Sequence, residues 1–339
     1  HAAQSARSRG ADITSTERPT HDAPRRVAPR AFPDVFGAIC DNVARAIRGK
    51  DRVIELTVTC FLAGGHLLVE DVPGVGKTSL AKALARSVDA EFGRVQFTPD
   101  LLPADVLGTS VWNQQDGSFR FRRGPIFSNL LLADEINRAS PKTQSALLEA
   151  MAEEQVTVDG TTHPLPRPFM VIATQNPLEH HGTFPLPESQ LDRFEMKLSI
   201  GYPERDDELG LLREEDRDAV LGRLRPVVGA AEVVAMSEAA RQVHVAPALA
   251  AYVVDLAERS RNDGSFSLGM SPRASLGLLR AARVAALAQG RGYVTPDDVK
   301  ALAVPVLSHR VVVSPELRMS GMDAASAVHD LLQRTPVPG

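Results

Sequence analysis

Long apolar runs are missing from this chain: no stretch of roughly eighteen apolar residues occurs, and a membrane-spanning helix needs about that length. The first thirty residues also lack the apolar segment of a signal peptide, which predicts a cytoplasmic protein. Cysteine is scarce. Cys40 and Cys60 are the only two, and without a pair at metal-ligand spacing they read as buried free thiols with no assigned role. His163 and His180-His181 show no metal-ligand pattern on one helix face, so no zinc site is expected. A large excess of charge of one sign is lacking too. A net charge of −4 gives no global reason to bind nucleic acid or an anionic membrane. No internal repeat is visible.

What remains is ordinary globular material, 43% hydrophobic and 24% charged over 339 residues, enough for two domains. Residues 1–33 carry six arginines against three acidic residues and four prolines without apolar periodicity, which predicts a disordered basic tail. Residues 34–203 alternate strand and helix patterns. Strands are expected at Leu67–Glu70, Arg94–Thr98, Asn129–Asp134, Phe169–Thr174 and Met196–Ile200, and alternation of this kind implies an α/β fold with a five-stranded parallel sheet sandwiched by helices. Two Asp-Gly pairs, Asp116-Gly117 and Asp159-Gly160, sit between β-prone flanks and predict hairpin inserts. Residues 204–227 read as a helical linker, its charges those of a solvated helix. Residues 228–335 read as a small all-α domain, with helix starts at Ser271-Pro272, Thr295-Pro296 and Ser314-Pro315, each a capping residue before a proline.

The richest stretch is Asp71-Val72-Pro73-Gly74-Val75-Gly76-Lys77-Thr78, followed by Ser79, between an apolar strand and a helical pattern. The alternative is a plain Gly/Pro turn. In a phosphate loop the backbone N–H groups and the helix N-terminus face phosphate, Lys77 reaches the β- and γ-phosphates, and the Thr78 hydroxyl ligates Mg²⁺. Asp71 stands where the general pattern has its first glycine.

Asp134-Glu135 closes an apolar strand at the edge where open α/β sheets bind ligands. Beside a phosphate loop, Asp134 holds the Mg²⁺ shell and Glu135 polarises the attacking water; an acidic N-cap is the alternative, and Ser140-Pro141 already supplies a cap. Asn176 ends the next strand and suits contact with the γ-phosphate or the water, although Asn-Pro also reads as a turn. Arg193 fits an arginine finger toward a neighbouring subunit, or a surface ion pair with Asp192. Arg273 falls in the first turn of a helix, where cations are unfavourable. It is therefore assigned to the γ-phosphate, with solvation the alternative. Arg120, Arg122 and Arg123 on the first hairpin suit a nucleic acid or a substrate chain, or only protect a sheet edge.

These motifs together resemble the MoxR family of AAA+ ATPases, from about residue 34 to residue 330. The resemblance is carried by Glu70 to Thr78, Gln96 to Pro103, Asp134 to Ala139, Gln144 to Met151 and Ser271 to Ala274. Asp71 in place of glycine is itself typical of MoxR-like proteins. The resemblance implies an AAA+ P-loop domain followed by a helical lid, ATP and Mg²⁺ as cofactors, and a ring, commonly a hexamer, with ATP at each subunit boundary. It makes Lys77 and Thr78 Walker A, Asp134 and Glu135 Walker B, Asn176 sensor 1, Arg193 the finger and Arg273 sensor 2. Ile47 and Gly49 would line the adenine pocket, and the hairpins would be the helix-2 and pre-sensor-1 insertions. It also implies chaperone-like remodelling of a protein client with a von Willebrand A domain partner. A nucleic-acid motor and an ATP-switched scaffold remain the alternatives, and the acidic overall charge weighs against the former.

Overall fold

Leu130, Leu131 and Leu132, like Met170, Val171 and Ile172, are apolar on consecutive positions, so both faces of each strand must be buried. The computed structural model describes residues 32–115, 117–177, 182–213 and 217–337, and the expected tail lies largely outside them. The chain runs through α1 (Phe32–Ala44), α2 (Asp51–Leu62), β1 (Leu67–Glu70), α3 (Lys77–Ser87), β2 (Phe92–Gln96) and α4 (Pro103–Leu107). A first hairpin, β3 (Gly108–Asn113) and β4 (Ser118–Arg123), leads into β5 (Leu130–Asp134) and α5 (Pro141–Glu153). A second hairpin, β6 (Gln155–Val158) and β7 (Thr161–Pro164), precedes β8 (Met170–Gln175), α6 (Glu188–Leu191) and β9 (Met196–Leu198).

The five strands β2-β5-β8-β1-β9 form one sheet, and every neighbouring pair is parallel. Alternation splits its side chains between two cores. Leu67, Val69, Leu130, Leu132 and Ile172 join a cluster with α1, α2 and α3; Leu68, Leu131, Ala133, Val171 and Ala173 join one with Leu147, Leu148 and Met151 of α5. Each fully buried Leu or Ile contributes about 1.5–3 kcal/mol relative to exposure. Several strand ends differ from expectation by one or two residues, two of them for identifiable physical reasons. β2 begins at Phe92 because Gly93 permits close approach: a Cβ there would lie 2.4 Å from Ser128 Oγ. β9 stops at Leu198 because the N–H groups of Ile200 and Gly201 turn to the Asp71 carboxylate, at 2.6 and 2.7 Å.

After β9 the chain is mainly helical: α7 (Arg205–Arg213), α8 (Arg217–Arg223), α9 (Ala230–Arg241), α10 (Pro247–Asn262), β10 (Phe266–Leu268), α11 (Pro272–Ala288), α12 (Pro296–Leu307), β11 (Val312–Val313), α13 (Pro315–Met319) and α14 (Ala324–Arg334). The antiparallel pair β10–β11 is too short for helical patterning to reveal. Ser271 caps α11 by accepting from Ala274 N at 3.0 Å, and Thr295 forms a capping box with Asp298 on α12. Ser314 occupies the N-cap of α13 without a side-chain bond. Among the described residues no helix is long and apolar enough to cross a membrane.

Candidate functional site: a phosphate cleft at the carboxyl edge

Gly74 and Gly76 have φ of 88° and 99°, values that only glycine adopts at little cost. They bend the loop after β1 so that α3 starts at Lys77 with no side-chain cap and no acidic residue in its first turn. A helix N-terminus left open in this way, with a lysine on it, fits an anion. Lys77 Nζ donates to the loop's own Asp71 carbonyl at 2.7 Å. Asp71 is a structural clamp. Its carboxylate accepts from Val72 N, Ser199 Oγ, Ile200 N and Gly201 N; burial opposes its ionisation, but these bonds outweigh burial and hold its pKa below the ordinary carboxylate value.

A cleft of about 330 Å³ opens above this loop, lined by Pro73, Gly74, Gly76, Lys77, Thr78, Arg94, Asp134, Glu135 and Asn176. Five of the sequence-predicted residues from the loop thus meet Asp134, Glu135 and Asn176 at one edge of the sheet, with Val75 packed against the first core. Ile47 and Gly49 lie behind the loop: Ile47 Cδ1 is the nearest neighbour a Cβ on Gly76 would meet, at 3.6 Å, and Gly49 is closed over by Asp207. Ser79, Val75, Ile47 and Gly49 are not among the residues lining the cleft.

The two carboxylates are held differently. Asp134 accepts from Thr174 Oγ1 at 2.6 Å and pairs with Arg94 at 2.8 Å, whereas Glu135 accepts from Gln96 Nε2 at 2.8 Å and pairs with Arg138 at 3.0 Å. Glu135 also has φ 56°, ψ 50°, a left-handed conformation costing on the order of 1–3 kcal/mol that the surroundings must sustain. Thr174 accepts from Glu135 N at 2.9 Å, so one hydroxyl braces both. Arg94, Gln96 and Thr174 were missed from sequence because their partners arrive from another strand, and Arg138 because its pairing with Glu135 depends on the turn that follows β5. No group of three or more His, Cys, Asp or Glu suited to a metal occurs among the described residues. The donor set instead matches Mg²⁺, which takes one or two protein oxygens with the rest from phosphate and water: Thr78 and Asp134 are the residues that would hold it.

Arg193 and Arg273 are elsewhere. β9 starts beside β1, with Met196 opposite Leu67 and Glu195 N bonded to His66 O, so Arg193 lies at the amino edge of the sheet. It is separated from the cleft by the four residues of β1, roughly 13 Å of strand. Its Nη1 donates to Leu148 O at 2.6 Å. Asp192 does not take up Arg193 but accepts from Ser271 Oγ at 3.0 Å. That bond brings the start of α11 to the same edge. Arg273, read from sequence as a ligand of the γ-phosphate, is exposed and is tied to this far edge by Ser271 and by Arg310 Nη1, which donates to its carbonyl at 3.5 Å. That placement follows from the seating of the lid, which no local motif encodes.

The hairpins form as the Asp-Gly pairs predict. Asp159 and Gly160 both have positive φ, as a two-residue primed turn requires; Asp116 lies outside the described residues, as do His180 and His181. Trp112 and Phe119 pair across the first hairpin at 5.0 Å, 50% and 70% exposed. At its base Phe121 stacks on His163 of the second hairpin at 4.1 Å. Cys60 is buried and Cys40 partly so, both free; burial pushes the Cys40 thiol up to about 12.

Comparison with known proteins agrees with this geometry. Residues 66–196 match the family described as ATPase family associated with various cellular activities (AAA), and residues 258–331 match the AAA lid domain. The Bacillus subtilis protein YeaC is 45% identical over 304 residues, 90% of this chain and 95% of that one. The Mycobacterium tuberculosis protein named Chaperone MoxR1 is 39% identical over 331 residues, 94% of this chain and 87% of that one. A crystal structure of a Cytophaga hutchinsonii protein assigned as an ATPase superposes with a TM-score of 0.85 at 36% identity, covering 92% of this chain and 97% of that one. With a five-stranded parallel core, a helical lid and relatives similar along nearly its whole length, the chain belongs to the MoxR family of AAA+ ATPases.

Proposed function

We propose that this protein hydrolyses ATP at the boundaries between subunits of a ring, commonly a hexamer, and uses the cycle for chaperone-like remodelling of a protein client. The observation that carries the reading is the division of labour between the two sheet edges: a phosphate cleft with two carboxylates on one, two arginines on the other. In it, the N–H groups of residues 74–78 and Lys77 bind the phosphates, with Ser79 continuing the same helix turn. Thr78 and Asp134 hold Mg²⁺. When bound, the ion neutralises charge on the β- and γ-phosphates. Glu135 takes the proton of the attacking water, Asn176 orients that water or the γ-phosphate, and Ile47 and Gly49 adjoin the adenine. Arg193 and Arg273 reach the nucleotide of the neighbouring subunit, where such a charge is worth several orders of magnitude in rate.

The name of the Mycobacterium tuberculosis relative supports the chaperone-like role, and the exposed Trp112–Phe119 pair offers an apolar contact for a client. A von Willebrand A domain partner and a cytoplasmic location belong to the same reading. We divide the chain for this purpose into a nucleotide-binding core, 34–203, a linker, 204–227, and a lid, 228–335. The test is ATPase activity against protein concentration: specific activity should rise as rings assemble and collapse in Arg193→Ala. Concentration-independent activity that survives Arg193→Ala would refute it.

A further inference from the structure

The carbonyl oxygen of Phe194, the residue after Arg193, accepts three donors: His309 Nε2 at 2.8 Å, Arg310 Nε at 3.2 Å and Arg310 Nη2 at 2.7 Å. The third nitrogen of the same guanidinium, Nη1, donates to the carbonyl of Arg273 at 3.5 Å. One side chain thus touches the backbone beside both edge arginines. It is almost wholly buried, at 4% exposure.

Buried charge demands partners, and Arg310 has two. Its Nε lies 3.5 Å from Asp192 and its Nη2 3.5 Å from Glu195, a carboxylate 2% exposed that also pairs with Arg280 at 2.7 Å. Two glycines make the room. A Cβ on Gly277 would come within 2.9 Å of both Arg310 Nη1 and Glu195 Oε2, and one on Gly65 within 2.3 Å of Glu195 Cβ. Ser271, the N-cap of α11, closes the circuit by donating to Asp192. Arg310 follows the end of α12, so three separate chain segments are tied at one point: the turn carrying Arg193, the helix start carrying Arg273, and the lid beyond α12.

We infer that Arg310 is a positioning residue that fixes Arg193 and Arg273 as one unit, so that both meet the neighbouring subunit's γ-phosphate in register. A hydrophobic residue would fill the volume more cheaply, since buried ion pairs add little net stability and their best-attested use is to specify geometry. A planar guanidinium has the fork needed to grip two carbonyls and two carboxylates together. Lysine has the charge and not the fork. The inference rests on the trans role proposed for the two arginines.

The experiment is a double-mutant cycle on the full chain, with turnover followed by radiolabelled ATP and nucleotide affinity measured separately. Arg310→Lys should lower kcat about tenfold or more, leave nucleotide affinity at the subunit's own cleft within about twofold and preserve ring assembly. In an Arg193→Ala background the same change should have a much smaller further effect, because one of the two groups it positions is gone. A merely structural role gives the same fractional loss in both backgrounds, and that result overturns the inference. Should Arg310→Lys fail to fold, Asp192→Asn takes its place in the same cycle and is read by the same criteria. If Arg193→Ala alone leaves turnover intact, the trans reading itself falls and this inference with it.

Discussion

Replacing Asp71 by glycine restores the general phosphate-loop pattern, and the structure nevertheless predicts damage. The Asp71 carboxylate accepts from two backbone N–H groups, Ile200 at 2.6 Å and Gly201 at 2.7 Å, besides Ser199 Oγ and Val72 N. The Ser199 hydroxyl is on an exposed residue and Val72 is half-buried, so water can replace those two bonds. The Ile200 N–H is buried. Leaving a buried donor unpaired costs about 1–3 kcal/mol, and charge-assisted bonds are worth about 1.5–3 kcal/mol each. Added backbone freedom at glycine brings about 0.5–1 kcal/mol more. Asp71→Gly should therefore lose roughly 3–7 kcal/mol, a large part of a typical stability of about 5–15 kcal/mol, and loosen the loop that Lys77 anchors.

The assay is denaturant unfolding of wild type, Asp71→Gly and Asp71→Asn, with nucleotide affinity measured alongside. The pH dependence follows from the lowered pKa of Asp71. Its stabilisation is fully present above the ordinary carboxylate value of 3.8 and is lost as pH falls through the lower folded value. The gap between wild type and Asp71→Asn should thus be constant near neutrality and close only in acid. An Asp71→Gly protein within about 0.5 kcal/mol of wild type, which is surface-mutation territory, would refute the clamp.

Thr174→Val removes the hydroxyl that donates to Asp134 at 2.6 Å and accepts from Glu135 N; Mg²⁺ requirement and turnover should worsen about 10–100-fold, as for other groups that orient metal ligands, with unfolding free energy lowered by about 1–3 kcal/mol as Glu135 N loses its acceptor. Cys40, its thiol pushed up to about 12, should carry roughly a thousandfold less thiolate than an ordinary cysteine near pH 8. A thiol reagent should accordingly label it far more slowly in the native protein than after unfolding, and rapid native labelling would contradict its placement.

Much of this molecule is legible in order along the chain. Gly74, Gly76 and Lys77 announce the phosphate loop because a local turn and a helix start are written in adjacent residues. Asp134 and Glu135 stand out because carboxylates ending an apolar strand need a purpose. Gln96 and Thr174 were invisible because their roles arise only when β2 and β8 flank β5. Asp71 looked like a defect in a motif, since its donors Ile200 and Gly201 lie more than a hundred residues away. The edge on which Arg273 lies was illegible for the same reason: the contacts of Arg310 with Phe194 and Asp192 that seat the lid span the length of the core.

The most direct test of intersubunit catalysis is to mix two inactive variants. Lys77→Ala lacks the means to bind phosphate and Arg193→Ala lacks the group offered to the neighbour. If the arginine acts in trans, random assortment in a closed ring creates intact sites at about a quarter of the boundaries, and the mixture should recover about that fraction of wild-type turnover. Should Arg193 act within its own subunit, every site would lack one group and the mixture would stay as inactive as its components.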